Sequence, residues 1–190
     1  MRALPRPRLV DSAPPDDDRR IEDIYRAHVD TVVRWVRHLA GPAADVEDLV
    51  HEVFLVAQRR LPAFRGDAAI TTWLHRITEN VVRTARRKER GRRWIRRLHG
   101  EELGSVLAPS PSLPGEDLER RQEMVTLYRA LDRLPDKYRS LLIMFEMEAM
   151  SGEQLAALTG LRPQTVRVRL HRARKLFLKT LAELEPEVTR

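Results

Sequence analysis

Apolar residues recur at intervals of three and four along most of this chain, and that spacing is typical of amphipathic α-helices. No segment shows the strict apolar–polar alternation that predicts a half-buried β-strand. We therefore predict an all-α fold. The clearest helical series cover 21–39, 46–57, 73–82, 124–134 and 138–145.

Helix-breaking residues divide these series into two groups. A Gly-Pro pair at 41–42 ends the first series, and Asp45 then stands as an N-cap residue with Asp48 three positions later. Between 100 and 115, serines, glycines and prolines replace the periodic apolar residues, and such a composition builds neither a helix nor a core. We therefore predict two small helical domains joined by a flexible linker. The predicted segments are a disordered leader at 1–20, a first domain at 21–98, a linker at 99–118 and a second domain at 119–184.

The composition narrows the class of function. The chain carries 35 Lys and Arg against 28 Asp and Glu, a formal net charge of +7, which favours a polyanionic partner such as nucleic acid. It has no cysteine, which excludes disulfides, thiolate zinc sites and cysteine nucleophiles and suits a reducing cytoplasm. No apolar run approaches the roughly 18 residues of a membrane span. We therefore expect a cytoplasmic protein without membrane insertion.

The histidines and acids do not form the pattern of a catalytic or metal site. His51-Glu52 begins like a helical zinc-protease motif, but Leu55 occupies the position of its second histidine. The six histidines are scattered singly, and no phosphate-binding glycine loop is present. We expect no enzyme activity, no cofactor and no metal.

The second domain contains the pattern of a helix-turn-helix. Residues 151–161 form a short capped helix that ends at Gly160, and Pro163 fits the first turn of a new helix. One face of this new helix carries side chains that can contact base edges or phosphates. No acidic residue occurs at 162–175, whereas a solvated helix face more often mixes both charges. The pattern therefore favours a DNA-reading helix over a solvated surface.

The second helix of the first domain is acidic on the side away from its apolar stripe. The helix dipole explains the acids of its first turn but explains Glu52 poorly. Because complementary charge sets register between proteins, we favour a protein partner for this face over solvent alone.

Basic and aromatic residues of the first domain indicate contact with nucleic acid. The third helix continues into an arginine-rich run at 83–97 that contains a single acid, which is suited to phosphates. Phe64, on a glycine loop, and Asn80 are suited to capture unpaired bases. Trp73 has the spacing of a core residue, and we assign it to the core.

Three motifs, in order, resemble those of the extracytoplasmic-function group of sigma-70-like factors. DVEDLVHEVFL at 45–55 resembles the polymerase-binding helix of that family. FRG at 64–66 and TWLHRITEN at 72–80 resemble its promoter-melting segment, and TVRVRLHRAR at 165–174 resembles its C-terminal signature. The resemblance covers about 21–182.

The resemblance implies a sigma factor that directs RNA polymerase core to specific promoters and assists DNA melting. Its first domain would contact the polymerase clamp helices through Asp45, Glu47, Asp48, His51 and Glu52. The same domain would bind the downstream promoter element through Phe64, Arg65, Asn80, Arg83, Arg86 and Arg87. The second domain would bind the polymerase flap and read the upstream element through Arg162, Gln164, Thr165, Arg167, Val168, His171, Arg172 and Lys175.

The chain departs from the family pattern at two places, and one alternative stays open. His51 stands where the family usually has glutamine, and RPQ at 162–164 replaces a commoner proline-x-glycine arrangement. An anti-sigma factor would be a further partner of such a protein. The alternative is a helix-turn-helix regulator that binds operators alone as a dimer. That reading explains the second domain but leaves the first without a role.

Overall fold

The computed structural model describes residues 16–98 and 118–188 of the chain. These residues form seven α-helices and one short 3-10 turn, with no β-strand among them. The predicted all-α fold is confirmed. The helices are α1 (Asp16–Ala40), α2 (Val46–Arg60), α3 (Ile70–Leu98), α4 (Leu118–Asp132), α5 (Asp136–Glu146), α6 (Gly152–Thr159) and α7 (Pro163–Val188), and the 3-10 turn spans Leu61–Ala63.

Helices α1, α2 and α3 pack against one another and form the first domain. Each contributes an apolar stripe at helical spacing to a shared core. Trp73, assigned to the core from its spacing, is half-buried and packs against that core. The buried apolar residues of this domain are Val32, Trp35, Val36, Leu39, Val50, Val53, Phe54, Ala57, Leu61, Leu74, Ile77 and Val82.

The turn between α1 and α2 depends on Gly41 and Asp45. Gly41 has a φ of +94°, a left-handed conformation that favours glycine. A Cβ atom at this position would lie 2.7 Å from Cδ1 of Tyr128 in the second domain. The Asp45 side chain accepts a hydrogen bond of 3.1 Å from the backbone N–H of Asp48. The predicted N-cap of α2 is thereby confirmed.

Helices α4 to α7 form the second domain, in which α7 packs on the other three. Ser151 begins α6 with a complete capping box: its hydroxyl accepts from the Gln154 N–H at 3.1 Å, and its own N–H donates to the Gln154 side chain at 2.7 Å. The helix ends at Gly160, whose φ is +70°, and α7 then begins at Pro163. This is the predicted helix-turn-helix.

Helix α1 begins at Asp16, so the prediction of a disordered leader at 1–20 is wrong for residues 16–20. The rest of the predicted leader, and residues 99–117 of the predicted linker, lie outside the described residues.

The two domains contact each other, and their buried residues form one continuous hydrophobic cluster. Helix α1 packs on α5, and α3 packs on α6. The sequence patterns predict two tethered units and contain no sign of this docking.

Candidate nucleic-acid interface

The beginning of α7 presents the predicted DNA-reading residues together. Val166, Leu170 and Ala173 are buried against the rest of the second domain, so the residues between them point outward. Thr165 is half-buried. The exposed residues are Arg162, Gln164, Arg167, Val168, His171, Arg172 and Lys175. This surface combines amide and guanidinium groups suited to base edges with cations suited to phosphates.

Arg174 flanks this surface but is engaged within the protein. Its Nε and Nη2 donate hydrogen bonds of 3.0 and 2.9 Å to Oε1 of Glu146. Its guanidinium carbon lies 4.7 Å from the centroid of the Phe145 ring, within the range of a cation–π interaction. Arg174 therefore holds α7 against the end of α5.

A loop and the outer face of α3 form a second group of candidate DNA contacts. Phe64 is half-buried, and its ring centroid lies 4.9 Å from that of Trp73. Asn80 is exposed, and its side-chain oxygen accepts a hydrogen bond from Arg83. Phe64 and Trp73 thus form an aromatic pair in the structure. The sequence analysis assigned Phe64 to a loop and Trp73 to the core. Arg65, Arg83 and Arg87 are also exposed.

Arg86 differs from the other residues predicted to contact DNA. Its side chain is only 12% exposed, and it forms ion pairs of 2.7 Å with Asp132 and 3.3 Å with Asp136. Both carboxylates belong to the second domain. In this arrangement of the domains the Arg86 charge is engaged by these two carboxylates, because helical rotation turns Arg86 towards α4 and α5. Its contact with DNA stays a prediction.

The acidic side of α2 lies on the surface. All five predicted polymerase contacts are exposed. Within the described residues, two of them have side-chain bonds to other parts of the protein. Asp45 caps the helix, and Glu52 lies 3.2 Å from the Arg59 guanidinium. The five exposed residues are Asp45, Glu47, Asp48, His51 and Glu52.

Two buried polar side chains near the domain contact have altered acidity. His75 packs edge-on against Trp35 at 5.2 Å between ring centroids, and burial lowers the pKa of its imidazole, partly offset by Glu79. Burial lowers the pKa of Arg139 to about 10, and Arg86 acts in the same direction while Asp132 opposes it. Arg139 therefore stays charged at neutral pH. The sequence analysis predicted no role for either residue, because the position of a polar residue in a helical pattern does not show whether its side chain is buried.

An apolar cavity of about 430 Å³ opens between α4, α5 and α7 in the second domain. Sequence reasoning did not identify it. In the structure the side chain of Leu178, late in α7, is exposed beside this cavity. The cavity is lined by Leu127, Leu131, Leu142, Ile143, Glu146, Met147, Arg174, Phe177 and Leu178.

Within residues 16–98 and 118–188, no group of three or more histidine or acidic side chains is placed to hold a metal ion. In the same part of the chain, no helix is both long and apolar enough to cross a membrane.

The sequence matches two family descriptions, one in each domain. Residues 24–92 match Sigma-70 region 2, and residues 124–177 match Sigma-70 region 4. The structure resembles that of the sigma factor RpoE in complex with the anti-sigma factor NepR from Bartonella quintana, with a TM-score of 0.56 and 22% identity over 86% of this chain and 98% of that one. It also resembles CnrH in complex with the cytosolic domain of CnrY, with a TM-score of 0.55 and 22% identity over 87% and 90% of the two chains. These two likenesses support the fold.

Two curated relatives have a higher sequence identity to this chain than these two solved structures have. The chain is 32% identical to the ECF RNA polymerase sigma factor SigE of Mycolicibacterium smegmatis over 166 residues, which are 87% of this chain and 63% of that protein. It is 32% identical to the ECF RNA polymerase sigma-E factor of Escherichia coli over 154 residues, 76% of this chain and 81% of that protein. With both family regions present in order, the chain belongs to the extracytoplasmic-function family of sigma-70-like RNA polymerase sigma factors.

Proposed function

We propose that this protein directs RNA polymerase core to specific promoters by reading the upstream element with α7 and opening the downstream element with α3. The observation that carries the proposal is the exposed, acid-free face of residues 162–175, which follows the left-handed Gly160 turn between α6 and α7. Such a face offers bidentate donors to bases and cations to phosphates.

The proposed polymerase contact of the first domain is the acidic side of α2. Its carboxylates are exposed on a chain whose net charge is +7, so they repel DNA and suit a basic protein surface. Following the family resemblance, we propose the clamp helices as that surface. His51, in place of the usual glutamine, lies on the same exposed side.

Melting is proposed to depend on Phe64 and Asn80. The Phe64 ring lies against Trp73 beside a glycine loop, which gives an unpaired base an aromatic surface on which to stack. The amide of Asn80 can hydrogen-bond to a base edge once Arg83 releases it. Stacking and hydrogen bonding offset part of the unpairing cost, so this chain requires no catalytic step of its own.

For the flap of the polymerase, we propose the apolar cavity between α4, α5 and α7. Seven of its nine lining residues are apolar, four of them leucine, and the other two are Glu146 and Arg174. An apolar side of a partner helix would therefore bury its surface there. Arg174, which flanks the reading residues of α7, also lines this cavity.

Regulation by an anti-sigma factor and a cytoplasmic location are part of the proposal. The support is the fold shared with RpoE, whose structure was solved in complex with an anti-sigma factor. The division of the chain into a first domain at 21–98 and a second at 119–184, joined by a linker, is proposed on the same basis.

Co-purification with core polymerase followed by transcription in vitro tests the function. We expect a stable complex and transcripts that begin at a discrete set of promoters only when the chain is present. A gel shift of the isolated protein is the control, because a dimeric repressor would bind its site unaided. Strong specific binding without polymerase, together with no capture of core, would overturn the proposal.

A further inference from the structure

The C-terminal half of α3 exposes two large apolar side chains in a segment rich in arginine. Trp94 is 64% exposed, and the adjacent Ile95 is 51% exposed. Residues 83–97 contain a single acid, Glu89, which lies 3.9 Å from the Arg92 guanidinium. Single exposed apolar residues are common on protein surfaces, but two in succession within so basic a segment form a small apolar contact surface. The function proposed above gives this surface no role.

Trp94 lies on the same face of α3 as residues proposed to contact DNA. A helix turns by about 100° per residue, so residues 80, 83, 87, 90 and 94 fall within a sector of about 80°. The buried Val82 lies outside this sector, against the core. We call this exposed row the α3 stripe, and its members are Asn80, Arg83, Arg87, Arg90 and Trp94.

Gly91 leaves open space beside the α3 stripe. It lies inside the helix, where glycine is unfavourable relative to alanine. A Cβ atom at this position would have no neighbouring atom within 4 Å, so packing within the protein does not require a glycine. A position without a side chain lets a ligand approach the helix backbone closely. Because Trp94 follows three residues later, both positions are neighbours on the helix surface.

The charge of this segment favours a polyanion, and the distribution of its apolar residues favours DNA over a lipid surface. A helix that lies on a membrane has an apolar side along its length. On DNA, cations spaced along a helix contact phosphates, and an apolar side chain adds a local contact where it enters the minor groove. The exposed residues of α3 between 83 and 92 include no large apolar side chain; they are Arg83, Thr84, Arg87, Lys88, Arg90, Gly91 and Arg92.

The length of the α3 stripe indicates which part of a promoter Trp94 would meet. Asn80 and Trp94 are separated by about 21 Å along the helix, which corresponds to about six base-pair steps of DNA. Asn80 is proposed to hold an unpaired base. After α3 the chain continues to the domain proposed to read the upstream element, so the end of α3 is directed to the upstream side of the melted bases. Trp94 would therefore meet DNA that is still paired.

We propose that Trp94, with Ile95 beside it, is a third contact with the promoter, in the duplex within about six base pairs upstream of the melted bases. Trp94 places its ring in the minor groove at one base step, and the arginines of the α3 stripe hold the phosphates nearby. Pyrimidine–purine steps such as TA are easily kinked, whereas A-tracts are stiff, so the contact favours a flexible step. This inference rests on the proposed function, because α3 must already hold the promoter.

Binding of the holoenzyme, reconstituted from the full chain and core polymerase, to promoter duplexes tests this contact. Trp94→Ala should weaken binding about tenfold or more, and Trp94→Phe should retain most of the affinity because it keeps an aromatic ring. The salt dependence of Trp94→Ala should equal that of the parent, since an apolar contact releases no counterions. Arg90→Gln should instead reduce the salt slope by about 1.

Two further variants separate a lost contact from a damaged helix. Gly91→Leu fills the open space next to Trp94 with a residue that favours helix more than glycine does. It should therefore fold and still weaken duplex binding about tenfold. Met124→Ala is the matched control, because it removes an apolar side chain that is 40% exposed on α4. It should leave promoter binding unchanged.

Changes to the DNA locate the contact. On a single strand that carries only the downstream element, the parent and Trp94→Ala should bind equally, because no duplex is present. In a second set of promoters, a single TA step is moved through an A-tract placed upstream of the melted bases. The parent should bind best with the TA step at one position, and Trp94→Ala should show no such preference.

Three outcomes would overturn the proposal. The first is equal affinity of the parent and Trp94→Ala for every duplex. The second is an equal defect on duplex and single strand with weaker capture of core polymerase, which would assign Trp94 to the polymerase. The third is binding of the free parent to vesicles of phosphatidylcholine and phosphatidylserine, lost in Trp94→Ala while promoter binding is unchanged. Failure of the proposed function would appear differently, as a parent chain that captures no core polymerase and starts no transcript.

Discussion

His75 couples the stability of the first domain to pH. Its imidazole is buried beside Trp35, and burial lowers its pKa below the usual 6.5. The unfolded chain therefore binds this proton at a higher pH than the folded chain does. As pH falls from above 6.5 towards the folded pKa, the unfolded state gains protons first, and the free energy of unfolding decreases.

We expect urea denaturation to show a lower midpoint at pH 5.5 than at pH 7.5, and the difference to be smaller in His75→Phe. Phenylalanine keeps a ring against Trp35 and cannot be protonated. His28→Phe, at a half-buried position of α1, serves as the comparison for the other histidines. An equal pH dependence in the parent and in His75→Phe would show that His75 does not contribute.

Phe64 and Asn80 are predicted to act in DNA opening and not in folding. Replacing both by Ala should spare polymerase binding, because neither lies on the acidic side of α2. The loss of stacking, about 1–3 kcal/mol per base, should reduce the permanganate reactivity of unpaired thymines and transcription from duplex promoters. A promoter mismatched across the downstream element should rescue most of the defect. Normal melting by the double variant would move the melting role to other residues of the loop.

At the scale of elements, α2 is proposed to contact a protein partner and α7 is proposed to contact DNA. Charge reversal on α2 by Asp48→Lys with Glu52→Lys should weaken binding to core polymerase about tenfold or more without unfolding the protein, since both side chains are exposed. Glu22→Lys with Asp23→Lys makes the same change of charge on an exposed part of α1. A pull-down should separate the two pairs, and equal binding by both would contradict the assignment of α2.

Helix α7 is predicted to contain readers and phosphate contacts at different positions. Arg167→Ala should remove one base contact worth about 1–3 kcal/mol, and it should relax sequence preference at one position of the upstream element. Lys175→Ala should weaken binding by a similar factor on every sequence and reduce the salt slope by about 1. Binding of holoenzyme to a set of single-base promoter variants measures both effects. If Arg167→Ala and the parent rank the set identically, Arg167 is not a reader.

Much of each element could be predicted from the sequence, whereas the relation between elements could not. The caps at Asp45 and Ser151 and the turn at Gly160 are local, so residues a few positions apart determine them. The bond from Arg139 to the Leu39 carbonyl joins residues 100 positions apart, and a carbonyl carries no side-chain identity for a pattern to detect. The ion pairs of Arg86 could not be predicted either, because its carboxylate partners lie 46 and 50 positions away. The sequence pattern therefore assigned Arg86 to DNA.

At the scale of the whole molecule, the continuous core predicts that the two domains unfold together. Tryptophan fluorescence and far-UV circular dichroism should report one coincident transition in the parent. Tyr128→Phe with Arg139→Met removes both hydrogen bonds to the end of α1 and should cost about 2–4 kcal/mol, with the two signals separating. Arg133→Met, which breaks a 3.6 Å pair with Glu183 inside the second domain, should keep them coincident. Two transitions in the parent would contradict the shared core.

Because α2 is exposed in the docked arrangement, the rate at which this protein encounters polymerase and the amount of polymerase bound at equilibrium depend on different parts of the molecule. Charges on α2 set how often the two proteins meet, and docking does not alter that surface. Any contact that requires the two domains to separate has its apparent Kd raised by the inverse of the separated fraction. A substitution at the packing contact of α1 with α5 therefore changes how much polymerase this protein binds at equilibrium. The rate of initial collision stays that of the parent.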